Sequence, residues 1–205
     1  MHGHAAKPGF SPGVKKRGYR RVSSSPAESS RAAKILRFSS TGFSQHADWV
    51  FEGVGETMAT LFAVYAYTDR CGFPAEPDIQ GSKEWRAKQI AGYDFAKPDF
   101  SLWQKDTGHT PYGLVMYLEM QQAFGWDAYK KVFAEYRALP QNERPKNDEE
   151  KRDQWMVRFS RQVGRNLGPF FSAWGVPVSD TARKSVADLP VWMPEELQKR
   201  LTAGQ

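Results

Sequence analysis

Cysteine is almost absent from this sequence: Cys71 is the only one in 205 residues. That excludes an internal disulfide and a cysteine-based zinc cluster within one chain. Beside Gly72 at a helix end, a single thiol is expected to be packed rather than nucleophilic. Histidine is nearly as scarce. His2, His4, His46 and His109 are the full set, and none are paired as HxxxH. No apolar run approaches the roughly 20 residues that a membrane helix needs. The first twenty residues contain no apolar h-region, so no secretory signal is visible. Alternating strand patterns, hairpin turn pairs and internal repeats are also missing. What remains is material for helices: 40% of the chain is hydrophobic and 14% aromatic.

The net charge of +6 is unevenly spread. Residues 1–37 hold nine of the 29 basic residues (Lys7, Lys15, Lys16, Arg17, Arg20, Arg21, Arg31, Lys34, Arg37) and one of the 23 acids, Glu28. This segment is therefore +8 and the remainder −2. It is rich in Gly, Pro and Ser, and cannot bury enough apolar surface to offset its ordering entropy. Residues 1–37 read as a disordered basic tail. A salt-dependent nucleic-acid arm is the functional alternative, but no aromatic or sequence motif supports a nucleic-acid module.

Residues 38–205 read as an all-α, multi-helix domain. Glu56 to Asp69 carries Met58, Leu61, Phe62 and Tyr65 at three- and four-residue steps, with Gly72 as the stop. Its residues are apolar nearly all round, which predicts a central helix. A short helix is expected near Trp85 to Ile90. Thr110 and Pro111 predict a cap and a first-turn proline, with that helix ending at Gly125. Asp127 to Leu139 puts Tyr129, Val132, Phe133 and Tyr136 on one face. Asn147 or Asp148 caps the next helix, which spaces Trp155, Phe159 and Val163 four apart. Pro169 opens a short helix, Ser179 or Asp180 caps another, and Pro194 starts the last. Trp85, Trp126, Trp155 and Trp174 are candidate core residues.

Four ordered runs carry a family likeness. They are Trp49-Val50-Phe51-Glu52-Gly53 with Gly55-Glu56-Thr57; Tyr117-Leu118 through Phe124-Gly125-Trp126; Phe133 with Tyr136-Arg137; and Phe159-Ser160, Asn166-Leu167, Pro169-Phe170-Phe171, then Trp174 to Ser179. Over residues 45–195 the chain resembles the enhancin and mucinase-type zinc metallopeptidases (metallopeptidase family sixty, HExxH and gluzincin-like), and specifically their helical C-terminal part. The resemblance implies zinc as cofactor, a protein or glycoprotein substrate such as mucin, and Glu56 as the third metal ligand.

Zinc hydrolysis needs three protein ligands and an open fourth position for water. HExxH supplies two histidines one helical turn apart on one face, with the glutamate as base. In the family that motif lies shortly before the run at Trp49. Here Arg37 to Gln45 reads RFSSTGFSQ, and no His or Glu stands at the ligand places. The first expectation is therefore a zinc metallopeptidase domain, truncated and inactive as this chain, a piece of a longer peptidase. The alternative is a non-catalytic remnant that binds glycan or protein through exposed aromatics. No catalytic residue is identified, and the compartment is left open.

Overall fold

A computed structural model describes residues 48–72, 82–103 and 111–203. The basic tail, the run from Arg37 to Gln45, all four histidines and the Thr110 cap lie outside these residues. Seven α-helices occur among those described: α1 (Gly55–Tyr65), α2 (Lys83–Gly92), α3 (Pro111–Ala138), α4 (Asp148–Val163), α5 (Gly168–Ala173), α6 (Asp180–Ser185) and α7 (Glu195–Ala203). No strand forms among them. One isolated parallel bridge joins Asn166 to Val191. The all-α expectation holds, and no described helix is long and apolar enough to cross a membrane.

Caps set the boundaries. Ser82, Asn147 and Ser179 each accept a hydrogen bond from the amide three residues on, at Trp85, Glu150 and Ala182. Acids Asp148, Glu149 and Glu150 fill the first turn of α4, where the helix dipole favours them. Gly164 closes that helix in the left-handed conformation, with its amide bonded back to Arg161. Gly125 (φ 75°, ψ 170°) breaks α3 into two arms, as the sequence anticipated at that glycine.

The bent α3 is the hub, packing against α1, α2 and α4. Its arms bury Leu114, Val115, Met116, Tyr117 and Met120 on one side of the bend and Tyr129, Val132, Phe133 and Tyr136 on the other. The Tyr129 hydroxyl donates to the Tyr117 carbonyl at 2.5 Å and so ties the two arms together. Trp155 and Phe159 of α4 are fully buried against them.

Three sequence expectations change. The helix after Gly55 is not central: only Thr57, Met58 and Leu61 are buried, because α3 covers one face and the opposite face reaches solvent. This helix also passes into a π turn, Ala66–Arg70, before Gly72. Cys71 is exposed rather than packed, since the π turn carries it past the core. Trp85 and Trp126 are half-buried at the rim, whereas Trp155 and Trp174 are core.

Arg86 of α2 binds α3. Its guanidinium lies 3.0 Å from Glu119 and donates to Gln122 at 2.6 Å. Burial pushes the Glu119 carboxyl above its usual range, and the nearby Arg86 offsets that only in part. The folded state therefore favours the protonated acid. This stability contribution is full below the unfolded-state value and is lost as pH rises through the higher folded value. Glu119→Gln is expected to flatten that slope in urea-unfolding free energies between about pH 4 and about pH 7. An unchanged slope would place its origin elsewhere.

Gly164 and Gly175 both need positive φ, at 64° and 73°. A Cβ at Gly164 meets nothing within 4 Å, whereas one at Gly175 comes within 3.0 Å of the Asp99 and Phe100 backbone nitrogens. Gly164→Ala should cost about 1 kcal/mol from backbone strain alone. Gly175→Ala should cost at least about 2 kcal/mol more, because backbone must move. Equal losses in urea midpoint would show that the crowding is relieved cheaply.

Candidate functional site

Glu56 is presented by a short anchored lead-in to α1. Trp49 is buried with its ring 5.1 Å from Phe133 and 5.6 Å from Tyr136. Phe51 is buried near Phe100, at 6.2 Å, and Val54 is buried beneath the first turn. Gly53 turns the chain at φ 87°. Outside these anchors, Asp48 pairs with Arg144 at 3.1 Å, and the Glu52 amide donates to the Asp148 carboxylate at 3.1 Å. Trp49, Phe51 and Val54 thus have packing duties, whereas Glu56 has none.

Glu56 itself is exposed in the first turn of α1, and no described side chain pairs with it. The next residue, Thr57, points inward. The α1–α3 crossing is so close there that a Cβ on Gly113 would stand 2.7 Å from the Thr57 hydroxyl and 3.2 Å from the Trp103 ring. This contact fixes which way the first turn faces: Thr57 and Met58 to the core, Glu56 to water. No sequence signal pairs Thr57 with Gly113, since they lie 56 positions apart and neither is apolar enough to stand out.

No group of three or more His, Cys, Asp or Glu side chains able to hold a metal ion occurs among the described residues. Zinc needs at least three protein ligands. The described donor set therefore does not fit a zinc centre by itself, and no hydrolytic step can be derived through it.

Two further features stand near the helix ends. Tyr65 and Trp126 meet edge to face at 5.0 Å, and the Lys130 ammonium sits 5.5 Å from the Tyr65 ring centre. This half-exposed patch has aromatic faces and a cation side by side. Elsewhere, the run from Trp174 to Ser179 is clamped by α4. Arg152 donates to the Pro177 carbonyl at 2.9 Å, and Asp153 accepts from both the amide and the hydroxyl of Ser179. Trp174 packs at 5.0 Å from Tyr93 and 5.1 Å from Phe95. The most distinctive run in the sequence is therefore a core joint, not a binding loop.

The family model described as "Peptidase M60, enhancin and enhancin-like" matches residues 43–175. The chain belongs to this enhancin-like M60 family. It is 35% identical over 163 residues to TRPM8 channel-associated factor 3 of Mus musculus, covering 78% of this chain and 17% of that protein. It is 32% identical over 152 residues to TRPM8 channel-associated factor 2 of Homo sapiens, covering 72% of this chain and 16% of that protein. The chain thus spans about a sixth of the length of these relatives. Among solved structures, a conserved protein of unknown function from Bacillus anthracis superposes with a TM-score of 0.60 at 25% identity, covering 83% of this chain and 34% of that one.

Exposure and burial separate the two roles within the lead-in. Glu56→Ala should leave unfolding free energy within about 0.5 kcal/mol, as for other exposed positions. Phe51→Ala should cost about 3 kcal/mol or more through loss of a buried ring. A large loss from Glu56→Ala would mean that the carboxylate has a structural partner.

Proposed function

We propose that this chain acts as a non-catalytic, peptidase-derived binding module whose partner is a membrane channel protein. The observation that supports this reading is the naming of its relatives at 32% and 35% identity as TRPM8 channel-associated factors. The chemistry agrees. Zinc-dependent hydrolysis asks for three protein ligands and an open position for water, and no group of three or more candidate ligands occurs among the described residues. The half-exposed Tyr65, Trp126 and Lys130 offer the aromatic and cationic mixture common at protein interfaces, where such residues contribute disproportionately to affinity. The same faces suit a glycan on the partner, since sugar rings stack on exposed aromatics.

A second reading keeps Glu56 as a zinc ligand within a longer polypeptide whose other parts supply the two histidines. The observation that favours it is that the Glu56 carboxylate, to which the family resemblance points, is exposed and has no partner among the described residues. Substrates would then be proteins or glycoproteins, mucins included.

The two readings are separated by paired measurements on the purified chain. Binding of detergent-solubilised TRPM8 channel to the immobilised chain is followed by interferometry, and zinc-dependent cleavage of labelled casein and mucin is followed in parallel. Saturable channel binding, weakened about tenfold or more by Trp126→Ala with Tyr65→Ala, is expected, with no chelator-sensitive cleavage. Cleavage that needs zinc and disappears in Glu56→Ala would sink the non-catalytic reading.

A further inference from the structure

The helices differ in what fastens them. α2 alone among the described helices buries none of its own residues, whereas each of the others buries at least one apolar side chain. Its half-buried residues, Trp85, Arg86, Gln89 and Ile90, recur at three- and four-residue steps on the face turned to α3. The rest of α2, from Lys83 to Gly92, is exposed. Arg86 is the central polar contact, at 3.0 Å from Glu119 and 2.6 Å from Gln122. Both charged side chains are largely withdrawn from water, at 12% and 18% exposure. The Arg86 Nε is buried without a protein acceptor. Past Gly92 the backbone becomes extended at Tyr93, whose buried ring packs 4.8 Å from Tyr112 and 5.0 Å from Trp174. At the upstream end the cap Ser82 is buried but brings little apolar surface.

We propose that α2 is a clasp that lifts off α3 as a unit while the other described helices stay folded, with the Arg86–Glu119 pair as its latch and Gly92 as its hinge. Apolar burial is what resists local opening, and α2 supplies only the partial burial of Trp85 and Ile90. The ion pair adds little net hold. Closing gains the attraction between the two charges but takes both out of water, and these effects nearly cancel. Opening rehydrates both together, so the latch releases at small cost. Losing only one partner is different, because the other charge is then buried alone. Tyr93 stays among its rings, so the motion ends there. A Cβ at Gly92 would meet nothing within 4 Å, which leaves the chain room to turn at that residue.

Lifting α2 bares the flank of α3 on which Glu119 and Gln122 stand. The buried Val115 lies on the same stripe, one turn before Glu119. The clasp thus gives one surface two states: a charged helix face when closed, and a partly apolar flank of α3 when open.

Native-state amide hydrogen exchange on the full chain tests the inference. Amides from Arg86 through Ala91 are expected to share one protection factor to within about threefold, at least about 100-fold below those of Trp155 to Phe159 in α4. Val132→Ala, in the buried arm of α3 past the Gly125 bend, should lower α4 protection about tenfold and leave α2 within about threefold, because that contact survives the opening. Arg86→Met keeps the length and removes the charge, and should lower α2 protection at least about tenfold. Adding Glu119→Leu replaces the pair by an apolar contact and should raise α2 protection at least about tenfold above that single variant. Circular dichroism checks that every variant is folded. α2 amides as protected as those of α4 overturn the inference, as do factors that fall steadily toward one end of α2, which is fraying. It is also overturned if Val132→Ala lowers α2 and α4 equally, or if the double variant is no better protected than Arg86→Met. Should Arg86→Met fail to fold, the starting protein and Val132→Ala still decide. The read-out lies within the chain alone, so channel binding can fail without touching it.

Discussion

Trp155 lies at the centre of an aromatic cage, and the described fold is organised around it. Tyr117, Phe133, Phe159, Tyr136 and Tyr129 all have ring centroids within 6.2 Å of its indole. Tyr117 lies on one side of the Gly125 break and Tyr129, Phe133 and Tyr136 on the other, so the cage depends on the bend in α3. Tilted and edge-on ring contacts contribute beyond area burial alone, typically about 0.5–1.5 kcal/mol per pair. Burial holds the Tyr117 and Tyr129 phenols well above their usual range, so they stay neutral and act as packing surface with one polar tip each. The Tyr129 tip finds the Tyr117 carbonyl, which locks the angle between the two arms.

From that cage the rest of the fold extends outward through shared rings. Phe133 and Tyr136 carry the contact to Trp49, and Trp49 sets the lead-in to α1. Phe159 and Tyr129 approach within 4.8 Å, and Phe159 meets Phe124, which continues to Trp192 and Phe170. Polar joints finish the work at the rim: Asp153 on the Ser179 cap, Arg152 on Pro177, Arg144 on Asp48. Nearly every residue that carries the family likeness belongs to this frame. A frame of this kind is preserved by packing whether or not any chemistry is performed beside it, so family membership by itself does not assign catalytic competence.

Much of this was legible along the chain. Caps at Asn147 or Asp148 and at Ser179 or Asp180, the break at Gly125 and the buried face of Tyr129, Val132, Phe133 and Tyr136 follow from local rules of capping, glycine conformation and helical period, and the structure settles the caps on Asn147 and Ser179. Those rules act within one turn or one helix, so a linear reading suffices. The zinc ligands could only be reasoned by likeness. Glu56 as a ligand rests on the family resemblance alone; its helix-start position was readable, but its exposure was not.

The sequence by itself determined that this is an all-α protein of aromatic core, and which residues begin and end most of its helices. Tertiary structure alone decided which face of α1 is covered. An apolar helix looks buried on every side when read along its length, yet burial depends on what stands opposite, and among the described helices that is chiefly α3. That contact, pressed close at Gly113 and Thr57, turns Met58 and Leu61 inward and leaves Glu56, Ala63 and Tyr67 facing water. Such an orientation is a property of two helices packed together, separated by dozens of residues, and no single stretch of sequence contains it.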